Sequence, residues 1–315
     1  MKYEVSVCVL TYNHEKYIEK ALDTIFLQKT NFLFEVLIFD DASTDNTCLI
    51  IKQRYGDKVT LYRHNENQGI NKNLYDALTT ANGKYIALAA GDDWWLTTEY
   101  LQSLYDYLNT HGECVSVSPC TVCFNQNQEE TGRLPVTITQ FTMADFLWSK
   151  NVAVIWDGML RNIFGKERKL EWLYLASRNN DEFQYFFYIL TRGSIGVLNK
   201  YLRAYRSVPA GGSNYNSSYD YVDTYIDRSH AMDYIKKNVT NEYAFKYYRN
   251  KNGAVALKLC LGDLIKRKKA EPLKKMCANT NIFLLVTFFF TLLLLELSGG
   301  EYPEWYKKGK KIYRK

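Results

Sequence analysis

Asp92 and Asp93 are adjacent carboxylates at the end of the small, apolar run 86–90, and Trp94 and Trp95 follow them directly. Like charges in contact raise each other's pKa unless a cation neutralises them. An acid pair beside a pocket therefore suits a hard divalent metal. A second pair, Asp40 and Asp41, ends the apolar run 34–39, and further polar clusters stand at Thr11-Tyr12-Asn13 and at 65–69, which includes Asn67 and Gly69. Another acidic doublet, Asp181-Glu182, opens the aromatic run 183–190, where first-turn acids are favoured by the helix macrodipole.

Clusters this far apart need a scaffold that delivers them to one place. Residues 5–10 (VSVCVL) and 34–39 (FEVLIF) are short and β-branched or aromatic, and 59–62 and 85–89 follow suit, so each reads as a strand. Residues 15–26, 44–55 and 71–81 read as helices between them, with Ser43-Thr44-Asp45 offering N-cap chemistry to the second. The alternation predicts an α/β fold: βαβ units and a Rossmann-like, mostly parallel sheet flanked by helices. Ligands of such sheets lie beyond the carboxyl ends of the strands, where all four polar clusters fall. A helix is expected over 97–109. Beyond it, 126–132 reads as a polar turn, 141–149 and 183–190 as helices, and 194–198 as a strand. The glycine-bearing stretch 205–216 reads as a loop able to close over a ligand.

With 47% hydrophobic residues among 315, the chain can build a large core and is not disordered. Much of the net charge of +6 sits in 265–275 (IKRKKAEPLKK) and 307–315 (KKGKKIYRK), which points to an anionic surface near the C-terminus. Between these clusters, 282–295 (IFLLVTFFFTLLLL) is almost unbroken apolar sequence. At ~1.5 Å per residue it reaches ~21 Å, short of the ~30 Å hydrocarbon core. Basic flanks on both sides suit a hairpin or an in-plane helix on anionic lipid, with Trp305 and Tyr306 at headgroup level; a core helix or an oligomer contact is the alternative. Seven scattered cysteines without zinc spacing, and a start that forms no secretory signal, read as structural thiols in a reducing cytoplasm.

A nicotinamide-type dinucleotide fold would need G-x-G-x-x-G after the first strand, and residues 11–16 (TYNHEK) hold no glycine. A receiver-like phosphoacceptor module would carry its acids after the first and third strands, whereas here they follow the second and fourth. The four histidines are too dispersed in sequence for a metal set.

The strings VSVCVLTYNHEKYIEKAL, FEVLIFDDASTDNT, NENQGINKNLYDAL and GKYIALAAGDDWW together resemble the family 2 glycosyltransferases, inverting enzymes of GT-A fold. The likeness covers 5–100 closely and returns over 180–206, NDEFQYFFYIL and GSIGVLNKYLRAYR. It implies a GT-A domain over 1–215, its first hundred residues the nucleotide-sugar half and 101–215 the acceptor half. A C-terminal helical region, 216–315, would follow, with 282–297 associating with membrane. By the resemblance, Thr11, Asn13 and Asp41 hold the nucleoside with Asp40 nearby, and Asn67, Gly69, Asp92 and Trp94 complete the donor site. Asp93 with Asp92 would carry Mg2+ or Mn2+, and Asp181 would be the general base, with Glu182 the fallback. Trp94 and Trp95 could offer aromatic faces to a sugar ring. The implied partners are a nucleotide-sugar donor, a glycan or lipid-linked acceptor of surface polysaccharide synthesis and the inner face of the cell membrane, with no nucleic acid. A retaining sugar transferase, a nucleotidyltransferase and an inactive GT-A scaffold stand as alternatives. The sequence departs from the family in AGDD, with Ala90 where many relatives have Glu, and in Val208 where relatives often have His.

Overall fold

The computed structural model describes residues 3–134, 138–147, 158–164, 170–175, 183–206, 222–223, 225–226, 229, 232 and 242–297. Strands β1 (Val5–Thr11), β2 (Phe34–Asp40), β3 (Thr60–Arg63) and β4 (Tyr85–Ala90) pair in parallel in the order β3-β2-β1-β4. Helices α1 (Ile18–Phe26), α2 (Thr47–Arg54) and α3 (Ile70–Thr80) form the crossovers. Period-two alternation along β1 sorts these helices to opposite faces. Val5, Val7 and Val9 join a buried cluster with Ile18, Leu22 and Ile25 of α1 and Ile51 of α2. On the other face the Cys8 thiol donates to the Ala77 carbonyl of α3 at 3.7 Å.

Beyond β4 the chain forms β5 (Trp94–Trp95), α4 (Tyr100–Thr110), β6 (Cys114–Phe124), β7 (Glu130–Leu134), β8 (Gln140–Phe141), α5 (Met143–Leu147), β9 (Met159–Arg161), α6 (Trp172–Leu175), α7 (Phe183–Leu190) and β10 (Ser194–Arg206). Among the described residues one ten-stranded sheet results, ordered β3-β2-β1-β4-β9-β6-β10-β5, with β7 on β6 and β8 on β10. The long ladders are parallel, and β10 runs parallel to β6. The short β9 is antiparallel to both β4 and β6, so the sheet is mixed at its centre. The strand expected over 194–198 continues to Arg206, and register shifts against β6 on either side of Tyr201 absorb the polar Asn199-Lys200 that interrupts the apolar pattern. α2 starts at Thr47 rather than 44, because Asp45 Oδ1 accepts from the Thr47 N–H at 3.0 Å and from its hydroxyl.

The chain divides into two compact units. The first, Met1–Thr142 with Asn151–Leu175 and Tyr188–Asn214, holds the whole sheet. The second comprises Met143–Lys150, Ala176–Phe187 and Tyr215–Lys315. In it α8 (Glu242–Arg267), α9 (Glu271–Ala278) and α10 (Ile282–Leu297) surround a cluster of Val222, Tyr225, Cys260, Met276 and Phe288. The Phe288 ring lies so close to Gly253 that a Cβ there would meet it at 2.3 Å. No described helix is long and apolar enough to cross a membrane.

Candidate active site at the carboxyl ends of β1 to β4

The parallel ladders continue past the strand ends and set their tips side by side. The Asp41 N–H donates to the Thr11 carbonyl at 3.0 Å, the His64 N–H to the Asp40 carbonyl at 2.9 Å and the Gly91 N–H to the Leu10 carbonyl at 2.8 Å. Neighbouring strands lie roughly 4.8 Å apart. The Asp41 tip and the Asp92 tip flank β1, so they stand roughly 10 Å from each other.

Two loops lock together over this edge. The Asn13 N–H donates to the Ser43 hydroxyl at 2.9 Å, and Asn13 Oδ1 accepts from the Thr44 N–H at 2.8 Å. The His14 N–H reaches Thr47 Oγ1 and the Glu15 N–H reaches Asp45 Oδ2. Asn13 (φ 56°) and Ala42 (φ 62°) both sit in the left-handed region, which costs of order 1 kcal/mol or more at a non-glycine residue and persists where surrounding contacts enforce it.

Asp40 and Asp41 do different work. The Asp40 carboxylate is fully buried and turned inward: it accepts from the Ser43 N–H at 2.9 Å and from the Ser43 hydroxyl, with Arg63 Nε at 3.4 Å. It builds the loop that Asn13 leans on. Asp41 Oδ1 accepts from the Gln68 N–H at 2.8 Å and faces His64 Nδ1 at 2.8 Å, while Oδ2 accepts from the Gly69 N–H at 2.9 Å. A carboxylate offers about four acceptor positions, so one remains. Gly69 adopts φ 83°, which only glycine enters freely, and its N–H is shared with Asn67 Oδ1 at 3.1 Å. The far nitrogen of His64 faces Asp76 Oδ2 at 2.9 Å, so the ring bridges two carboxylates.

At the fourth tip the two acids also diverge. Asp92 keeps a side chain 21% exposed, with His14 Nε2 3.9 Å from its carboxylate. Asp93 is buried, and both its oxygens are engaged: Oδ2 accepts from Arg203 Nη2 at 2.8 Å and Oδ1 from the Arg206 N–H at 2.8 Å. Burial pushes the Asp93 carboxyl up to about 7, against the pull of Arg203 and with a smaller push from Asp92. Arg206 Nε donates to the Asp92 carbonyl at 2.9 Å, and its guanidinium lies 4.3 Å from the Tyr17 ring centre and 4.9 Å from that of Trp94. Trp94 also carries Lys20 Nζ at 3.7 Å and packs on Phe124, and Trp95 stacks on Tyr100. Cations and protein rings thus cover the aromatic faces that the sequence offered to a sugar.

Thr11 is buried, and among the described residues its hydroxyl and His14 Nδ1 have no hydrogen-bond partner. Gly91 sits between them, where a Cβ would lie 2.7 Å from His14 Nδ1 and 3.0 Å from Thr11 Oγ1. The structure therefore brings Thr11, Asn13, Asp40, Asp41, Asn67, Gly69, Asp92, Asp93 and Trp94 to one edge of the sheet. Asp181 and Glu182 lie outside the described residues, as does most of the loop over 205–216. Nothing in the sequence alone assigns a role to Arg203, Arg206 or His64. Arg203 and Arg206 stand in the apolar strand YLRAYR, and a buried cation in a strand demands a buried anion, which was the available signal.

Among the described residues no three His, Cys, Asp or Glu side chains gather as a metal cage. Asp92 has the chemistry for a hard cation that draws the rest of its shell from water and substrate phosphates, the habit of Mg2+. Asp93 could join only by giving up contacts to Arg203 or Arg206.

A strand-tip site on a mixed α/β sheet of this order is the architecture of sugar-nucleotide-dependent transferases of GT-A fold. Residues 6–164 match the sequence model of glycosyl transferase family 2, half of the chain, and the protein belongs to that family. Over 151 residues it is 34% identical to an uncharacterised protein of Mycobacterium tuberculosis, the match covering 47% of this chain and 44% of that one. It is 33% identical over 113 residues to the abequosyltransferase RfbV of Salmonella typhimurium, covering 35% and 34%. The chain thus spans less than half the length of these relatives. Among solved structures it is similar to S. aureus TarS residues 1–349 in complex with UDP-GlcNAc, with a TM-score of 0.58 at 20% identity over 90% of this chain and 80% of that one. It also resembles the mannosyltransferase PcManGT of Pyrobaculum calidifontis in complex with GDP-Man and Mn2+, with a TM-score of 0.51 at 17% identity over 93% and 88%.

Proposed function

We propose that the protein is an inverting glycosyltransferase that moves a sugar from a nucleoside-diphosphate sugar to an acceptor hydroxyl. The observation that carries this reading is the placement of two unlike acids on the edge of one sheet. Asp41, fixed by the Gln68 and Gly69 N–H groups, keeps one acceptor position for a base N–H. Across β1, Asp92 holds a partly exposed carboxylate, while its backbone carbonyl accepts from Arg206 Nε and Lys20 lies over the ring of the neighbouring Trp94. A nucleoside at the first and its phosphates at the second fit this order. The complexes of TarS with UDP-GlcNAc and of PcManGT with GDP-Man and Mn2+ support a donor of this class.

Asp92 would hold Mg2+ or Mn2+, with Asp93 as second ligand or as the anchor that fixes the tip through Arg203. Such an ion, when bound, supplies positive charge to the departing diphosphate, worth several kcal/mol. Arg206, held by the rings of Tyr17 and Trp94, adds fixed positive charge on the same side. An acceptor hydroxyl is too weak an acid to react unaided, so a carboxylate must take its proton, typically worth ~10²–10⁴ in rate. Asp181 is that base in our reading, with Glu182 next to it. The acceptor is a glycan or lipid-linked sugar of surface polysaccharide assembly, met at the inner face of the cell membrane.

The test is a thermal-shift screen of UDP-, GDP- and dTDP-sugars with and without Mg2+ or Mn2+, followed by transfer assays on the donor that binds. Asp92→Asn should abolish the metal-dependent part of the shift and of turnover. Asp181→Asn should keep the shift and lose ~10²–10⁴ in kcat. A product that retains the donor's anomeric configuration, or full turnover in Asp181→Asn, overturns the assignment.

A further inference from the structure

The helix α10 packs only one side against its own unit. Phe288 faces Gly253 and the edge of Tyr225, and Leu284 and Leu285 are partly covered with it. On the opposite side Phe283, Val286, Phe290, Leu293 and Leu297 recur at alternating spacings of three and four, and Phe283 and Leu297 are 80% and 77% exposed. That spacing draws one continuous seam along the helix. Phe289 widens it on the edge where Glu296 stands two turns later, and no charged residue falls among the five seam positions themselves.

Three features decide what covers this seam. The polar side chains of the helix turn back on its own backbone: Thr287 donates to the Phe283 carbonyl at 2.8 Å and Thr291 to the Thr287 carbonyl at 2.7 Å, so neither hydroxyl depends on water. The seam is small for a stable pair of protein chains. Sixteen residues give ~24 Å of length and a footprint of roughly 240 Å², against ~800 Å² per partner in a standard interface. The charge around it is mostly basic, although Glu271, Glu296, Glu301 and Glu304 stand among the Lys and Arg residues. Arg267, Lys268 and Lys269 are exposed at the α8–α9 junction, and the sequence after the helix carries six Lys or Arg in 307–315. Apolar seam and basic flanks are the combination that seats a helix in the interface of an anionic bilayer.

We propose that α10 lies in the plane of an anionic membrane, its free face sunk to the acyl boundary and its Phe288 side holding the second unit above it. This deepens the membrane part of the proposed function by naming the element, its orientation and the lipid charge. The helix is too short to cross and too firmly packed on one side to be surrounded by lipid, so it docks without spanning.

The experiment is flotation of the full chain with phosphatidylcholine vesicles, with and without phosphatidylglycerol, for the wild type and for Phe283→Ser/Phe290→Ser and Lys268→Glu/Lys269→Glu. Light scattering gives the oligomeric state, and the donor-induced thermal shift is measured in parallel. The wild type should float with the anionic vesicles and hardly at all with the neutral ones. The serine pair should lower the partition constant by about 100-fold, roughly tenfold for each lost aromatic. The glutamate pair should weaken only the anionic component. Both variants alter exposed residues and should keep the wild-type melting temperature and donor shift. Undiminished flotation of the serine pair overturns the assignment of α10 while leaving membrane association standing. No flotation of the wild type overturns both. A wild-type dimer that the serine pair dissolves overturns the lipid in favour of a second copy, and none of these results bears on donor binding.

Discussion

Replacing Arg203 by Met removes the guanidinium that pairs with the buried Asp93 carboxylate while keeping most of the stem volume. The Nη2–Oδ2 distance is 2.8 Å and both side chains are 8% exposed, so the pair is shielded from water. Breaking a pair of this kind by removing one partner costs about 3–5 kcal/mol, a third or more of the stability of a typical domain. The stranded acid has one escape, which is to take a proton. Burial has already pushed its carboxyl up to about 7 from an ordinary value near 4. A raised folded-state pKa contributes stability that is complete below the unfolded value and is lost as pH rises through about 7. Without Arg203 the folded value rises further, so the loss continues above 7, by at most ~1.4 kcal/mol per pH unit. Urea unfolding in a chelator should therefore show Arg203→Met destabilised at pH 6 and more so at pH 9. Asp93→Asn keeps an acceptor for the Arg206 N–H, and the double variant should cost at least ~2 kcal/mol less than the sum of the singles. Additive singles, a gap that narrows with rising pH, or a cost under ~1 kcal/mol at pH 8 would refute the reasoning.

Gly91→Ala forces a Cβ to within 2.7 Å of His14 Nδ1 and should cost ~1–3 kcal/mol, read as a drop in melting temperature; an unchanged temperature would show that His14 and Thr11 yield freely. His64→Gln removes the ring that ties Asp41 to Asp76 and should raise the donor Kd about tenfold, ~1.4 kcal/mol, with Asp76→Asn acting in the same direction. Equal donor affinity in both variants would leave the bridge without a positioning role. Burial, with a smaller contribution from Asp40, pushes the Cys48 thiol up to about 12, and burial raises Cys8 as well, whereas Cys277 is exposed. Alkylation of the native protein at pH 8 should thus modify Cys277 promptly and Cys8 and Cys48 only in denaturant, as peptide mapping by mass spectrometry would resolve.

The first hundred residues were legible because each strand is a short apolar run between turn residues, and β1 to β4 appear within a residue or so of their expected limits. β6 escaped for a physical reason. Its first nine residues are buried on both faces, so the Val-Ser alternation of CVSVSPCTVCF marks no solvent face, and Pro119 disguises the strand further. β9 spans three residues and is recognisable only from its two neighbours. In the site, residue types at the tips could be read directly, but the division of labour within each acid pair could not. Nothing in Asp40-Asp41 or Asp92-Asp93 says which member turns inward; that follows from Ser43 and Arg63 in one case and from Arg203 and Arg206 in the other. The guanidinium that answers Asp93 lies 110 residues away, beyond any local pattern.

That separation orders the birth of the protein. A ribosome delivers Asp93 long before Arg203, and until β10 slots in beside β6 the acid has no guanidinium to offset its charge. A polypeptide ending short of residue 203 can lay down β1 to β4 and still lack a settled fourth tip. Prematurely terminated copies would then present an unfinished edge, since the tip of β4 is completed by a late-made strand.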